Sequence, residues 1–103
     1  MEKYIINSFI NKHGENIFNE IKSMIYEEMT EDKDDFNDDY LSYIFEIATY
    51  EYCGIENEKI PVFISKMGNK FVPKIPYNEL RKRHLNSINE IIKHLEKSVE
   101  EIE

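Results

Sequence analysis

Lys59 to Pro76 reads KIPVFISKMGNKFVPKIP, and the fold class turns on it. β-Branched and aromatic residues stand on both sides of Gly68-Asn69, and prolines punctuate the run at Pro61, Pro73 and Pro76. Glycine and asparagine tolerate the positive φ angles of a tight turn, so the stretch predicts a β-hairpin over 60–75. Pro73 has no amide hydrogen to give to a ladder, which requires that its strand have an unpaired side. A two-stranded ribbon is not stable alone and must pack on helices or join a partner's sheet.

On either side of this stretch the pattern is helical. Ile6, Ile10, Ile17, Ile21 and Met24 recur in steps of the helical period, and Ile5, Phe9, Phe18 and Ile25 widen the stripe. His13-Gly14 interrupts it, as a kink or as a break between two helices, because glycine is a poor helix former. A further helix is expected from about Asp35 to Cys53, with Asp34 or Asp35 as its N-cap and Gly54 as its stop. Phe36, Tyr40, Ile44 and Ile47 share one face of it, and Leu41, Phe45, Ala48 and Tyr52 lie beside them. With large apolar groups nearly all round, it should be the most buried helix. The last helix is expected over 78–101, where Leu85, Ile88, Ile92, Leu95, Val99 and Ile102 form an a/d seam. That seam either packs on the domain's own helices or pairs with a second copy. The sequence thus predicts one α+β domain over 1–103, predominantly helical, with about three helices and one hairpin in the order α-α-β-β-α. Its helical part would span 3–54.

Composition narrows the function classes. At 103 residues and 41% hydrophobic content the chain can build a core. Charged residues make up 33%, above the roughly 25% of average domains, so the surface is strongly ionic. One cysteine, Cys53, cannot form an internal disulfide and reads as a small core residue. No apolar run approaches the roughly 20 residues that span a bilayer, and the first residues lack a secretory leader's pattern. The expectation is a cytoplasmic protein with no membrane partner. Scarce alanine with abundant Ile, Asn and Lys is what A+T-rich codons encode, as in low-GC bacteria, their phages and mobile elements.

Charge is distributed unevenly. Residues 27–40, EEMTEDKDDFNDDY, hold eight acids and one base, whereas residues 59–84 hold seven bases and one acid; the whole chain is −8. The acids are Glu27, Glu28, Glu31, Asp32, Asp34, Asp35, Asp38 and Asp39, with Tyr26, Tyr40 and Tyr43 close by. Asp35, Asn37, Asp39 and Glu46 match four ligand positions of a calcium loop, but Tyr40 stands where the loop needs glycine. Acids in a helix's first turn meet its free amides and dipole; that accounts for some of them, not for Glu27, Glu28, Glu31 and Asp32. Crowded carboxylates create a field that captures a basic partner, and tyrosine is favoured as an interface anchor. The expected function is therefore a non-enzymatic inhibitor or immunity-type protein. Its acidic surface, with Tyr40 and Tyr43, would imitate nucleic acid on a nuclease or defence effector.

An alternative is a dimeric nucleic-acid-binding regulator that uses Lys66, Lys70, Lys74, Arg81, Lys82 and Arg83; a third reading is a structural homo-oligomeric subunit. Direct nucleic-acid binding is the weaker reading, because the pI of 4.9 is acidic. Catalytic and metal signatures are thin. His84 and His94 fall out of phase on a helix, His13 stands alone, and there is no glycine-rich phosphate loop. No cofactor, metal or catalytic residue is expected.

Overall fold

A computed structural model describes residues 2–29 and 36–102, with the side chains of 4–29 and 36–99. Among them stand six α-helices: α1 (Glu2–His13), α2 (Glu15–Glu28), α3 (Asp38–Tyr52), α4 (Ile60–Lys66), α5 (Tyr77–Arg83) and α6 (Leu85–Ile102), with a 3-10 turn at Asn57–Lys59. No strand occurs among the described residues, so the domain is all-helical and the α+β expectation with its hairpin is overturned.

The correction has a local cause. In a strand, residues 60, 62 and 64 would share one face; in a helix, 60 and 64 share a face and 62 points away. Ile60 and Ile64 are 0% exposed and Val62 is 59% exposed, which is helical periodicity. Pro61 sits in the first turn of α4, where its missing amide hydrogen costs nothing. Gly68 does use positive φ, at 106°, but to end that helix. Its amide hydrogen bonds Ser65 O, and that of Asn69 bonds Ile64 O. Asn69 is buried; its Oδ1 accepts from the Phe71 amide at 2.9 Å, which turns the chain into an irregular segment. Pro73 and Pro76 keep that segment out of helix until α5 begins at Tyr77.

Gly14, at φ 91°, splits the first helical stripe into α1 and α2. The cap of α3 is Asn37, whose side chain accepts from the Tyr40 amide at 2.9 Å, in place of the expected Asp34 or Asp35. Those two residues lie outside the described ones. Every residue from Leu41 to Ala48 is buried, so α3 forms the centre of the domain, packed against α1, α4 and α6. The Phe45 ring lies 4.7 Å from that of Phe9 and 5.8 Å from that of Phe18, measured between centroids. The expected last helix is broken at His84 into α5 and α6. Its seam turns inward: Ile88 is 0% exposed, Leu85, Ile92 and Leu95 are half-buried, and Val99 is 39% exposed. The side chain of Ile102 lies outside the described residues. No helix is long and apolar enough to cross a membrane among the described residues.

Helix and hairpin predict different mutational patterns in α4. Ile64→Ala should cost about 2–5 kcal/mol in urea unfolding, whereas Val62→Asp should cost under about 0.5 kcal/mol. A ribbon with both side chains on one face would make the two comparable.

Candidate functional site

The ends of α2 and α3 carry the described part of the acidic run. Glu27 is exposed on the last turn of α2, and Asp38 and Asp39 are exposed on the first turn of α3. Among the described residues these three have no ion pair with a lysine or arginine. Tyr26, 45% exposed, stands next to Glu27 on α2 and meets Phe36, just before α3, edge-on at 5.9 Å. Asn19, Lys22, Ser23, Tyr26, Glu27 and Phe36 line a shallow groove there. Glu31, Asp32, Asp34 and Asp35 lie outside the described residues. Two of the calcium-loop positions are engaged elsewhere, since Asn37 caps α3 and Glu46 is buried with Ser42 Oγ donating to it at 3.4 Å.

Three expected interface residues turn inward instead. Tyr43 is 3% exposed, a core side chain against Phe71. Tyr40 is half-buried, and its hydroxyl lies 2.5 Å from Nε2 of His84. Glu28, on the last turn of α2, faces Nδ1 of His84 from 3.6 Å through Oε2, while its Oε1 accepts from the Ser87 hydroxyl of α6. A chain of polar groups, Ser87–Glu28–His84–Tyr40, therefore ties α2, α3 and α6 together. His84 is 0% exposed, and neither its Nδ1 nor Glu28 Oε2 has a hydrogen-bond partner among the described residues. Burial, with Arg83 beside it, pushes the His84 pKa down to about 4. Burial raises the Glu28 carboxyl above its ordinary value against the hydrogen bonds from Ser87, and holds the Tyr40 hydroxyl up at about 12. At neutral pH the imidazole is uncharged and the phenol keeps its proton.

Beside Tyr40 opens a cavity of about 320 Å3. Met29, Phe71, Val72, Ile75 and Leu80 supply apolar walls; Asn37, Asp39, Lys74 and Arg83 supply polar ones. Val72 is 82% exposed on the segment between α4 and α5. The fold places the expected basic residues unequally. Lys66, Lys70, Lys74 and Lys82 are exposed, and Arg83 is half-buried at the cavity. Arg81 is committed to Glu51 of α3 by two contacts, Nη2–Oε1 at 2.5 Å and Nε–Oε2 at 3.3 Å.

Other sequence readings change with tertiary position. His13 is not alone: its ring lies 5.5 Å from that of His94 across α1 and α6, with Phe9 against both. Cys53 is exposed at the end of α3 rather than in the core. No cluster of three metal-ligating side chains occurs among the described residues. Compared with protein-family models, with curated proteins and with solved structures, the chain matches none.

The buried imidazole has a pH consequence. The unfolded chain protonates histidine near pH 6.5 and the folded protein resists it to about 4, so acid favours unfolding across that window. At about 1.4 kcal/mol per unit the loss has a ceiling of roughly 3 kcal/mol. Glu28 works the other way, since a raised carboxyl binds its proton more readily in the folded state and offsets part of that loss. Urea unfolding of the wild type between about pH 7 and pH 4 should therefore show stability falling with acid, and His84→Gln should flatten the decline. Tyr40→Phe should cost about 1–3 kcal/mol at pH 7, because it leaves Nε2 of a buried imidazole without a partner.

Proposed function

We propose that the protein is a non-enzymatic binder of another protein, and that the ends of α2 and α3 are its contact surface. The observation that carries this reading is Glu27, Asp38 and Asp39, exposed and without a cation of this chain among the described residues, with the exposed ring of Tyr26 next to Glu27 and against Phe36. Like charges held close together repel, which weakens the folded state, and a partner of opposite sign relieves that repulsion on docking. Tyr26 adds an amphipathic anchor at low entropic cost, the kind of side chain on which interfaces concentrate their energy. The anchor is Tyr26 rather than Tyr40 or Tyr43, because those two are spent on His84 and on the core.

The partner fitting this surface carries a basic patch. A nuclease or another nucleic-acid-binding effector has such a patch, built for phosphates, and an inhibitor or immunity-type protein would occupy it with carboxylates. The chemistry of a basic groove fits a row of Asp and Glu as it fits a phosphate backbone.

The test is capture from lysate of the source cell with tagged wild type and with the triple variant Glu27→Lys, Asp38→Asn, Asp39→Asn. A basic protein should be retained by the wild type, released by about 0.5 M salt and lost with the variant, since screening shortens the reach of exposed charges. The variant should lose no more than about 1–2 kcal/mol of stability, the share that first-turn carboxylates contribute. Equal capture by both proteins would remove the acidic surface from the account. Tight, salt-sensitive binding of labelled DNA or RNA would favour a nucleic-acid regulator instead.

A further inference from the structure

The cavity beside Tyr40 has features that a packing defect would not need. Its volume of about 320 Å3 falls at the lower end of the range for small-molecule sites, roughly 300–1,000 Å3. Its apolar walls come from three separate places: the end of α2, the 71–75 segment and α5. A charged group on its wall and a polar pair behind Tyr40 bear on what it can hold. Arg83 is half-buried on its wall and has no ion pair among the described residues, although the chain holds 21 acids against 13 bases. Arg81, one half-turn earlier, shows what the usual arrangement would be, a fork gripped by Glu51. Behind the cavity, Nδ1 of the fully buried His84 faces Glu28 Oε2 at 3.6 Å with no hydrogen bond formed.

That gap leaves the orientation of the Tyr40 hydroxyl adjustable. With hydrogen on Nδ1, Nε2 is an acceptor, Tyr40 donates to it, and the cavity meets only phenol lone pairs. When Glu28 takes one proton from solvent and donates it toward Nδ1, the imidazole carries its own hydrogen on Nε2 and donates to the phenol oxygen. The phenol hydrogen then turns away from His84 and becomes available to an acceptor in the cavity that Tyr40 lines. The protons balance: Glu28 gains one O–H bond from the solvent proton, one N–H bond breaks at Nδ1 as one forms at Nε2, and the phenol keeps its hydrogen throughout.

We propose that this cavity binds a small organic anion with an apolar body, its anionic group held by the Arg83 guanidinium and the Tyr40 hydroxyl. The apolar body covers Val72 and lies against Phe71, Ile75 and Leu80. A guanidinium offers a carboxylate two parallel hydrogen bonds, the strongest contact this wall can make. Asp39 also lines the cavity, so an ammonium group is the competing occupant. The proposal does not rest on the protein-binding reading and can fail without it.

Three probes with one body separate these outcomes: 3-phenylpropionate, 3-phenylpropanol and 3-phenylpropylammonium, titrated by calorimetry into the full chain. The propionate should bind about tenfold tighter than the alcohol, the gain expected of one charge-assisted contact. Arg83→Met, checked for folding by circular dichroism, should bring propionate and alcohol within about twofold. Lys82→Met, which removes an exposed base outside the cavity, should leave the propionate affinity unchanged. The proposal is overturned if the ammonium or the alcohol binds as tightly as the propionate. It is equally overturned if Lys82→Met weakens binding as much as Arg83→Met, or if no probe binds at millimolar concentration.

Discussion

A helix with apolar side chains on every face has to be covered from every side. From Leu41 to Ala48 every residue of α3 is buried, and this single demand organises the domain. Removing such side chains from water is the main stabilising term in a small domain, at about 25 cal/mol per Å2. The rest of the chain is arranged as cover. Helix α1 brings Ile6 and Phe9, α4 brings Ile60 and Ile64, and α6 brings Ile88 and Ile91. The short helix α4 exists to present two isoleucines to α3, which is why its sequence obeys a spacing of four.

Burial on this scale also dictates where polar groups go. The residues of α3 that carry polar atoms must find partners inside the protein, because an unpaired buried group costs more than a hydrogen bond gains. Tyr40 finds His84, Thr49 returns its hydroxyl to the Phe45 carbonyl at 2.8 Å, and Glu51 takes the fork of Arg81. The exposed ends of α2 and α3 are left with charges that nothing in the described chain neutralises. Two surfaces of different character thus adjoin: an acidic one at the helix ends, and an apolar cavity with a basic wall beside Tyr40. The domain centre is fully occupied by packing, which confines both to its periphery.

Much of this was legible in the sequence. The helical stripes of α1, α2 and α6, the break at Gly14, and the dense apolar content of α3 all follow from local spacing. The acidic and basic poles are plain from charge alone. The hairpin expectation failed because Gly68-Asn69 between β-branched residues is ambiguous: the same glycine can close a hairpin or end a helix. Deciding between them needed the exposure of Val62 against Ile60 and Ile64. The polar chain through His84 was not legible either. Glu28, Tyr40 and His84 stand 12 and 44 residues apart, and no pattern in the sequence connects them.

By itself, the sequence determined what is local: the helical periods of α1, α2, α3 and α6, the break at Gly14 and the distribution of charge, because each depends on neighbours a few residues away. Tertiary structure alone decided which tyrosines face solvent, which arginine is gripped by Glu51, and that His13 meets His94. Those are questions of which distant side chain arrives at a given place. Their answers come from covering α3 as a whole, a condition that no single stretch of residues contains.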